Sequence, residues 1–267
     1  MESKNNEDSQ ELKSSLNRRD FLKVMAAALA ALAGIRFRQN SVLASSPKGS
    51  NIHKWGMVID QAKCTGCGYC TRSCQAHNNI PPTIYWNQVL SVGEVNGKEV
   101  FLPRPCQHCT NAPCVEVCPV NASYYRADGI VMMNYDRCIG CRYCEIACPY
   151  SARAFNWEAF TGENPVVPEW GHPEVERRPR GVVEKCSFCY QRIDRGLANN
   201  LVPGVDPEAT PACVVACPVE ARAFGDLNNP ESRVSRLLAE NAWIRLREDL
   251  GTETHVYYLP PRKEVMG

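Results

Sequence analysis

The sixteen cysteines of the chain fall into four groups of four, and no cysteine lies outside a group. In chain order, group 1 is Cys64, Cys67, Cys70 and Cys74, group 2 is Cys106, Cys109, Cys114 and Cys118, group 3 is Cys138, Cys141, Cys144 and Cys148, and group 4 is Cys186, Cys189, Cys213 and Cys217. Because each group supplies the four thiolates that one metal centre needs, this grouping predicts four centres.

The spacing within the groups indicates which centre they hold. Groups 1 and 3 read C-x2-C-x2-C-x3-C, group 2 has x4 in the middle interval, and group 4 has x23 there. Proline follows the last cysteine in three groups, at Pro119, Pro149 and Pro218. In two-cluster ferredoxins the cysteine before proline ligates the other cluster of a pair. The pattern predicts four [4Fe–4S] clusters. No ligand is replaced by Trp, Asp or Ser, so no three-iron cluster is expected.

Two other uses of cysteine fit this spacing less well. Disulfides suit an exported protein, but four cysteines within eleven residues would form crowded bridges, and disulfides do not explain the prolines. All-cysteine zinc sites use paired CxxC motifs separated by longer intervals. A third cysteine three residues after the second does not fit that arrangement.

An internal repeat accompanies the cysteines. Residues 144–155, CEIACPYSARAF, and residues 213–224, CVVACPVEARAF, are identical at eight of twelve positions, and residues 114–125 are a looser third copy. We interpret each copy as holding most of one cluster and lending its last thiolate to a neighbouring cluster. The A-R-A-F tail is predicted to supply strand and packing residues twice.

The N-terminal region resembles an export signal. Arg18-Arg19 followed by Phe21-Leu22-Lys23 resembles the twin-arginine motif. The apolar stretch 24–35 is too short to span about 30 Å of hydrocarbon. Cleavage is predicted after Ala44, which makes residues 1–44 a signal peptide; an amphipathic N-terminal helix is the alternative. Twin-arginine export carries folded proteins, which suits clusters assembled before export.

Short strands and turns are predicted between the groups. Residues 55–60 and 255–259 are predicted strands, and residues 89–102 and 122–135 are predicted hairpins, the first around Asn96-Gly97. Residues 230–250 are predicted to form one amphipathic helix, with Asn229 as N-cap and Gly251 as C-cap. Residues 157–180 are predicted to be a loop, and residues 190–212 a long connector inside group 4.

A cation precedes the first cysteine of three groups, at Lys63, Arg137 and Lys185. A positive charge near a cluster favours its reduced, more negative form and raises its potential. These residues are therefore candidates for tuning the clusters; solvated surface charge is the alternative interpretation. His77 and His108, beside groups 1 and 2, are not predicted as ligands.

The four groups, in this order and with these intervals, resemble the four-cluster iron–sulfur subunits of molybdopterin oxidoreductase complexes. The resemblance rests on CTGCGYCTRSCQAHNN, PRPCQHCTNAPCVEVCP, CIGCRYCEIACPYSARAF and TPACVVACPVEARAFGDL, and it covers about residues 55–260. The chain departs from the family's pattern after Cys74, where Gln75 stands instead of proline, and at His77, where the family often has an acidic residue. This departure concerns the potential of the adjoining cluster rather than its existence.

The resemblance implies an α+β fold of two bacterial ferredoxin-like modules, one inserted in the other, with short strands, cluster loops and a C-terminal helix. The implied division is a signal peptide (1–44), a linker (45–54), the outer module in two parts (55–88 and 161–229), the inner module between them (89–160), and a C-terminal helix and strand (230–267). The implied ligand sets are set A (Cys64, Cys67, Cys70 with Cys217), set B (Cys186, Cys189, Cys213 with Cys74), set C (Cys106, Cys109, Cys114 with Cys148) and set D (Cys138, Cys141, Cys144 with Cys118).

The function that the resemblance implies is electron transfer through four [4Fe–4S] clusters. The implied partners are a molybdopterin-type catalytic subunit and a multi-pass membrane subunit that binds quinone. The expected location is the periplasm, with membrane association through these partners, because no stretch after the signal is apolar over the roughly 18 residues that a membrane span needs. A free periplasmic polyferredoxin and an iron–sulfur structural or sensor module are the alternatives.

A net charge of +1, with no long basic run, gives no indication of nucleic-acid binding.

Overall fold

The apolar segment Trp55–Asp60 forms β1, the central strand of a three-stranded sheet. Every residue of β1 except Asp60 is buried, as expected for a strand covered on both faces. β8, Arg222–Asp226, pairs with β1 antiparallel, and β9, Val256–Leu259, pairs with it in parallel. The sheet therefore joins the start of the cysteine-rich region to the segments that follow its last cysteine.

The computed structural model describes Lys23 and residues 53–261, and the latter lie in a unit that spans residues 50–267. Apart from Lys23, the predicted signal peptide lies outside the described residues, as does the predicted linker up to residue 52. Between β1 and β9 the other strands are β2 (Asn87–Val95), β3 (Lys98–Pro105), β4 (Ser123–Tyr125), β5 (Val131–Met133), β6 (Ala154–Phe155), β7 (Val183–Glu184) and β8. The α-helices of residues 53–261 are α1 (Tyr69–His77), α2 (Pro113–Glu116), α3 (Tyr143–Ile146), α4 (Tyr190–Ala198), α5 (Ala212–Val215) and α6 (Arg233–Glu240).

Both predicted hairpins are confirmed. β2 and β3 pair antiparallel around Asn96 and Gly97, whose φ angles of 53° and 73° match a type I′ turn. β4 and β5 pair antiparallel on either side of Asp128 and Gly129, within the predicted hairpin 122–135. β6 and β7 form a third antiparallel pair, whose two strands are separated by residues 157–180; this segment contains no helix or strand, as predicted.

The predicted helix over residues 230–250 is wrong in extent. α6 begins after Ser232, whose hydroxyl accepts a hydrogen bond from the Ser235 amide at 3.2 Å, so Ser232 and not Asn229 is the N-cap. The helix ends before Asn241, which has an extended backbone. A separate 3₁₀ turn, Glu248–Leu250, follows, and Gly251 caps that turn in the left-handed region. Leu246, which follows the break at Asn241, therefore lies in a different segment from Leu237, which belongs to α6.

The predicted connector 190–212 contains regular structure that the sequence analysis missed. It begins with α4 and continues to a 3₁₀ turn, Pro207–Ala209, and these two elements pack together. Buried Arg192 of α4 donates to the carbonyl oxygens of Thr210 (2.6 Å) and Pro207 (2.5 Å). The connector is thus fixed against its own far end, and the last two cysteines of group 4 follow it in a defined position.

The cysteine loops lie inside the main hydrophobic core, where eleven of the sixteen cysteines pack with Met57, Phe188, Phe224 and Tyr258. A smaller cluster between α6 and the sheet contains Val58, Val234 and Leu259. In the described part of the chain, no helix has the length and apolar character that crossing a membrane requires. The described fold is therefore α+β, with small sheets and short helices around the cysteines.

Candidate metal centres

The four cysteine loops share one backbone turn. In each loop the residue before the second cysteine has a left-handed backbone: Gly66 (φ 74°), His108 (44°), Gly140 (71°) and Phe188 (54°). Glycine adopts this conformation readily, whereas other residues pay about 1–2 kcal/mol. The same turn is therefore formed four times, even where the residue type does not favour it.

All sixteen cysteines are free thiols, and most are buried or half-buried. Burial raises the pKa of Cys109 to about 12, and that of Cys213 also to about 12 against an opposing attraction to Arg222. A metal ligand must be a thiolate, so cluster binding to these buried groups displaces their protons. Cys67 of group 1 and Cys141 of group 3 are exposed.

Two cavities bring together cysteines from different groups. One is lined by three cysteines of group 4 together with Cys74 of group 1, which are the four members of set B. The other is lined by three cysteines of group 3 together with Cys118 of group 2, the four members of set D. Each cavity thus has four thiols, as a [4Fe–4S] cluster needs.

The members of sets A and C also lie within electrostatic reach of one another. Burial raises the pKa of Cys64, and the charges of Cys70 and Cys217 add to that effect. Burial likewise raises the pKa of Cys148, with further contributions from Cys106 and Cys114. In both sets, then, the fourth cysteine comes from the group that the resemblance implies.

Electrostatic interactions between cysteines of different sets indicate how the sets are arranged. Set A meets set B where the charge of Cys70 adds to burial in raising the pKa of Cys74. Set B meets set C where burial, and then Cys106, raises the pKa of Cys186. Set C meets set D at Cys144, whose pKa is raised by burial and further by Cys114, against an opposing attraction to Arg153. These electrostatic interactions favour the order A, B, C, D, in which the two exposed cysteines, Cys67 and Cys141, belong to the end sets.

The arrangement of four thiols that holds a cluster differs from the arrangement that holds a single metal ion. Among residues 53–261, no three His, Cys, Asp or Glu side chains converge closely enough to hold one metal ion. A cubane spreads its four thiolates over four irons and does not require that convergence.

Hydrogen-bond donors surround the sulfur atoms. The amides of Ala122 and Ala221 donate to Cys118 and Cys217 over 3.2 Å and 3.3 Å, in both cases from four residues after the cysteine. The Asn87 side-chain amide donates to Cys70 Sγ at 3.2 Å. Such donors favour the thiolate form and stabilise the negative charge of a cluster.

The junction between sets B and C is packed by the two ring residues of the left-handed turns. His108 and Phe188 stack with ring centroids 3.7 Å apart, and both are fully buried. His108 Nδ1 accepts the Val131 amide hydrogen at 3.2 Å, and Lys185 Nζ donates to the Val131 carbonyl oxygen. Burial lowers the pKa of His108, which is therefore neutral. His108 thus packs the junction between sets B and C.

The three predicted tuning cations occupy different environments. Lys63 is exposed and lies 3.8 Å from Asp60, and Arg137 is also exposed. Lys185 is only 1% exposed, and its charge lowers the pKa of Cys186 against the larger effect of burial. Solvated surface charge describes the first two residues but not Lys185.

His77, where the chain departs from the family's pattern, contacts an acidic side chain from elsewhere in the chain. Its Nδ1 lies 2.7 Å from Glu174, which also pairs with Arg192 and Arg195. Burial opposes ionisation of Glu174, but the hydrogen bond to His77 and the attraction of Arg192 outweigh it and lower the pKa to about 2. His77 therefore attaches the loop 157–180 to the end of α1.

Sequence reasoning missed two cationic residues in the site. Arg153 and Arg222, the arginines of the two A-R-A-F copies, are 5% and 2% exposed. Arg153 donates to Cys114 Sγ at 3.0 Å, and Arg222 donates to Cys213 Sγ at 3.7 Å. The repeated tail was the available signal, but an arginine in a strand is normally expected at the surface.

Comparison with known proteins finds [4Fe–4S] domains and iron–sulfur subunits. Residues 63–122 and 98–164 each match a family described as a 4Fe-4S dicluster domain. The chain is 45% identical over 224 residues to the putative dimethyl sulfoxide reductase iron-sulfur subunit of Halobacterium salinarum, covering 77% of this chain and 78% of that protein. It is also 45% identical over 238 residues to the menaquinone reductase iron-sulfur cluster-binding subunit of Nitratidesulfovibrio vulgaris, covering 79% and 91%.

A third relative, a tetrathionate reductase subunit of Salmonella typhimurium, is 38% identical over 219 residues, covering 79% of this chain and 74% of the relative. The three similarities cover 77–79% of the chain, and the two family matches include cysteine groups 1 to 3. The chain therefore belongs to the family of ferredoxin-type [4Fe–4S] iron–sulfur subunits of molybdopterin oxidoreductase complexes.

Proposed function

We propose that the chain relays electrons through four [4Fe–4S] clusters, held by sets A to D, between a molybdopterin-type catalytic subunit and a multi-pass membrane subunit that reacts with quinone. A bound cluster takes up and releases one electron. The observation that carries the proposal is the pair of cavities, each lined by three cysteines of one group and the last cysteine of another. The sixteen cysteines supply four complete sets with none left over.

The order of the sets supports a linear relay. Sets B and C lie in the middle, and seven of their eight thiols are buried, which excludes water and oxygen. The end sets A and D each have an exposed cysteine, Cys67 and Cys141. The surface beside Cys141 carries exposed Ile139 and Ile146. Electrons would enter and leave through these ends, where partner subunits can approach a cluster closely.

The nested arrangement of modules is part of the proposal. Pairing of β1 with β8 brings the segments before group 1 and after group 4 together, as expected if they belong to one outer module. Groups 2 and 3 are linked because Cys118 of group 2 lines the same cavity as three cysteines of group 3, as expected for an inner module.

The crossed ligand sets can be tested with two substitutions, one in each proposed module. Cys217→Ala removes the proposed fourth ligand of set A, and Cys148→Ala removes that of set C. We expect each variant to lose or alter one cluster, and low-temperature EPR of the anaerobically reduced protein distinguishes the two. If the cluster on Cys64, Cys67 and Cys70 is untouched in Cys217→Ala, the crossover is wrong.

The proposed partners can be tested by co-purification of the tagged chain from membranes solubilised anaerobically in mild detergent. Recovery of a large molybdopterin-type subunit and a multi-pass membrane protein, identified by mass spectrometry, supports the relay. Recovery of a soluble monomer alone, with its clusters intact, contradicts the complex and favours a diffusing polyferredoxin.

Export to the periplasm is proposed from the sequence of the N-terminal region. Replacing Arg18 and Arg19 together by lysine is expected to retain the cluster-loaded protein in the cytoplasm, because the twin-arginine pathway reads that pair. Fractionation of cells that express both forms measures this. Normal export of the double variant would show that another route is used.

A further inference from the structure

Two arginines in the interior have no carboxylate partner. Arg153 and Arg222 are at least nine-tenths buried, and neither forms an ion pair with Asp or Glu within residues 53–261. A buried charge is costly unless it is paired with an opposite charge. In contrast, buried Arg178 pairs with Glu184 and buried Arg192 pairs with Glu174. The counter-charge of Arg153 and Arg222 must come from another source.

The two arginines have matching surroundings. Nη1 of Arg153 lies 3.0 Å from Met133 Sδ, and Nη1 of Arg222 lies 3.5 Å from Met57 Sδ. Nη2 of Arg153 donates to the Ser123 hydroxyl.

Nη2 of Arg222 donates to the Asn87 side-chain oxygen at 2.7 Å. Each guanidinium therefore contacts a methionine sulfur, a neutral polar group and a cysteine sulfur. The match follows from the A-R-A-F repeat.

Each arginine lies where two ligand sets meet. Arg222 donates to Cys213 of set B, and another of its partners, Asn87, donates to Cys70 of set A. Arg153 donates to Cys114 of set C and also hydrogen-bonds Cys144 of set D. Arg222 therefore faces both sets of the proposed outer module, and Arg153 faces both sets of the inner one.

We propose that Arg222 and Arg153 each serve as the shared counter-charge of two adjacent clusters and raise the reduction potentials of both. This inference rests on the proposed function, since it presupposes clusters in the four sets. A cluster becomes more negative by one charge on reduction, so a fixed cation beside it stabilises the reduced form more than the oxidised form. Because water is excluded around both guanidinium groups, this effect is screened less than that of an exposed cation.

The test is an anaerobic redox titration followed by EPR on the full chain, in wild type, Arg153→Gln and Arg222→Gln. We expect each glutamine variant to reduce the equilibrium constant for electron uptake at least about tenfold, or about 59 mV for a one-electron couple. The change should affect the two clusters of one module and leave the other module nearly unchanged. Arg153→Lys and Arg222→Lys keep the charge and should restore most of the potential.

Arg137→Gln is the matched control, because it removes an equal charge from an exposed position beside Cys138. We expect a change of less than about threefold there, since solvent screens an exposed charge. Equal shifts in Arg137→Gln and Arg153→Gln would overturn the proposal. So would unchanged potentials in both buried variants, or lysine variants that behave like the glutamine variants.

Iron and sulfide analysis separates this inference from the proposed function. Wild-type protein with fewer than four clusters would contradict the function itself, whereas four clusters with unaltered potentials in the variants would contradict only the inference. Should a glutamine variant fail to load, Arg153→Met and Arg222→Met supply another neutral side chain of similar length. Failure of every neutral variant to load, with normal loading of the lysine variants, would assign the arginines to assembly and overturn the tuning proposal.

Discussion

At the scale of single residues, the four cysteine loops share one left-handed turn but form it with different residue types. The left-handed residue is glycine in the two loops with exposed cysteines, and His108 or Phe188 in the two middle loops. The stacking of these two rings offsets the strain of their backbone by filling the junction between sets B and C. In the loops of sets A and D this backbone position provides only the turn. In the loops of sets B and C it also provides the packing of the two rings.

Gly140 provides the first prediction. A Cβ added there would lie 2.3 Å from the carbonyl oxygen of Gly181, and its φ of 71° is unfavourable for other residues. Gly140→Ala should therefore destabilise the loaded protein by about 2–5 kcal/mol, the sum of strain and overlap with the backbone. The measurement is anaerobic thermal unfolding, monitored together with cluster absorbance.

Gly68 offers a matched control for Gly140. Its φ of 76° carries the same strain, but a Cβ there would have no neighbour within 4 Å. Gly68→Ala should cost only about 1–2 kcal/mol. Equal destabilisation of the two variants would mean that the contact with Gly181 has no effect on stability.

At the scale of elements, a buried polar cluster holds the short β7 strand in place. Glu184 is fully buried and accepts hydrogen bonds from Trp86 Nε1 at 3.0 Å and Arg178 Nε at 3.1 Å. Asn156 also donates to it. These donors come from the segment before β2, the loop 157–180 and the residue after β6. The two-residue strand β7 is therefore positioned by side-chain hydrogen bonds more than by its backbone pairing with β6. It lies immediately before group 4.

Glu184→Gln should destabilise the protein substantially. It leaves the buried Arg178 charge without a counter-ion, at a cost of about 3–5 kcal/mol, which corresponds to a fall of roughly 6–20 °C in the unfolding midpoint. Thermal unfolding of the cluster-loaded protein measures it.

The surface pair of Arg233 and Glu220, with side chains 41% and 72% exposed, supplies the control for Glu184. Glu220→Gln should cost less than about 1 kcal/mol. Comparable losses in the two variants would contradict a special contribution from the buried pair.

The elements also show what could be predicted from the sequence. The cysteine groups, the hairpin at Asn96-Gly97 and the β1 strand were predictable, because spacing, turn type and a continuous apolar run are local signals. The length of α6 was not, because Leu246 continues the helical spacing in sequence although its segment follows a break at Asn241. The positions of Arg153 and Arg222 were not predictable either, since burial of a cation depends on charges brought from distant loops.

At the scale of the whole molecule, the order of the ligand sets follows from how the loops are interleaved. Group 1 reaches set B through Cys74, and group 4 reaches set A through Cys217, so the two groups cannot be separated without losing a ligand from each proposed centre. Groups 2 and 3 are linked in the same way through Cys118 and Cys148. The stacked rings of His108 and Phe188, and the electrostatic interaction between Cys106 and Cys186, then join the pairs. The arrangement that we propose is a line with two buried middle positions and two exposed ends.

This order predicts which clusters depend on one another. In the proposed line the cluster of set D has one neighbour, that of set C, so loss of the set C cluster in Cys109→Ala should leave set D magnetically isolated. Its EPR signal in the fully reduced protein should then lose the broadening caused by a nearby paramagnetic cluster. An electron donor that reaches only the set A end should fail to reduce the set D cluster. Dithionite with small mediators should still reduce the set D cluster.

Cys67→Ala is the matched variant, because it removes a ligand from set A at the opposite end of the line. The EPR signal of the set D cluster should then be unchanged, since sets B and C still separate the two ends. If Cys67→Ala altered the set D signal as much as Cys109→Ala does, the sets would not lie in the order A, B, C, D. Because both variants lose one ligand from one site, a difference between them reports position in the line rather than a general loss of stability.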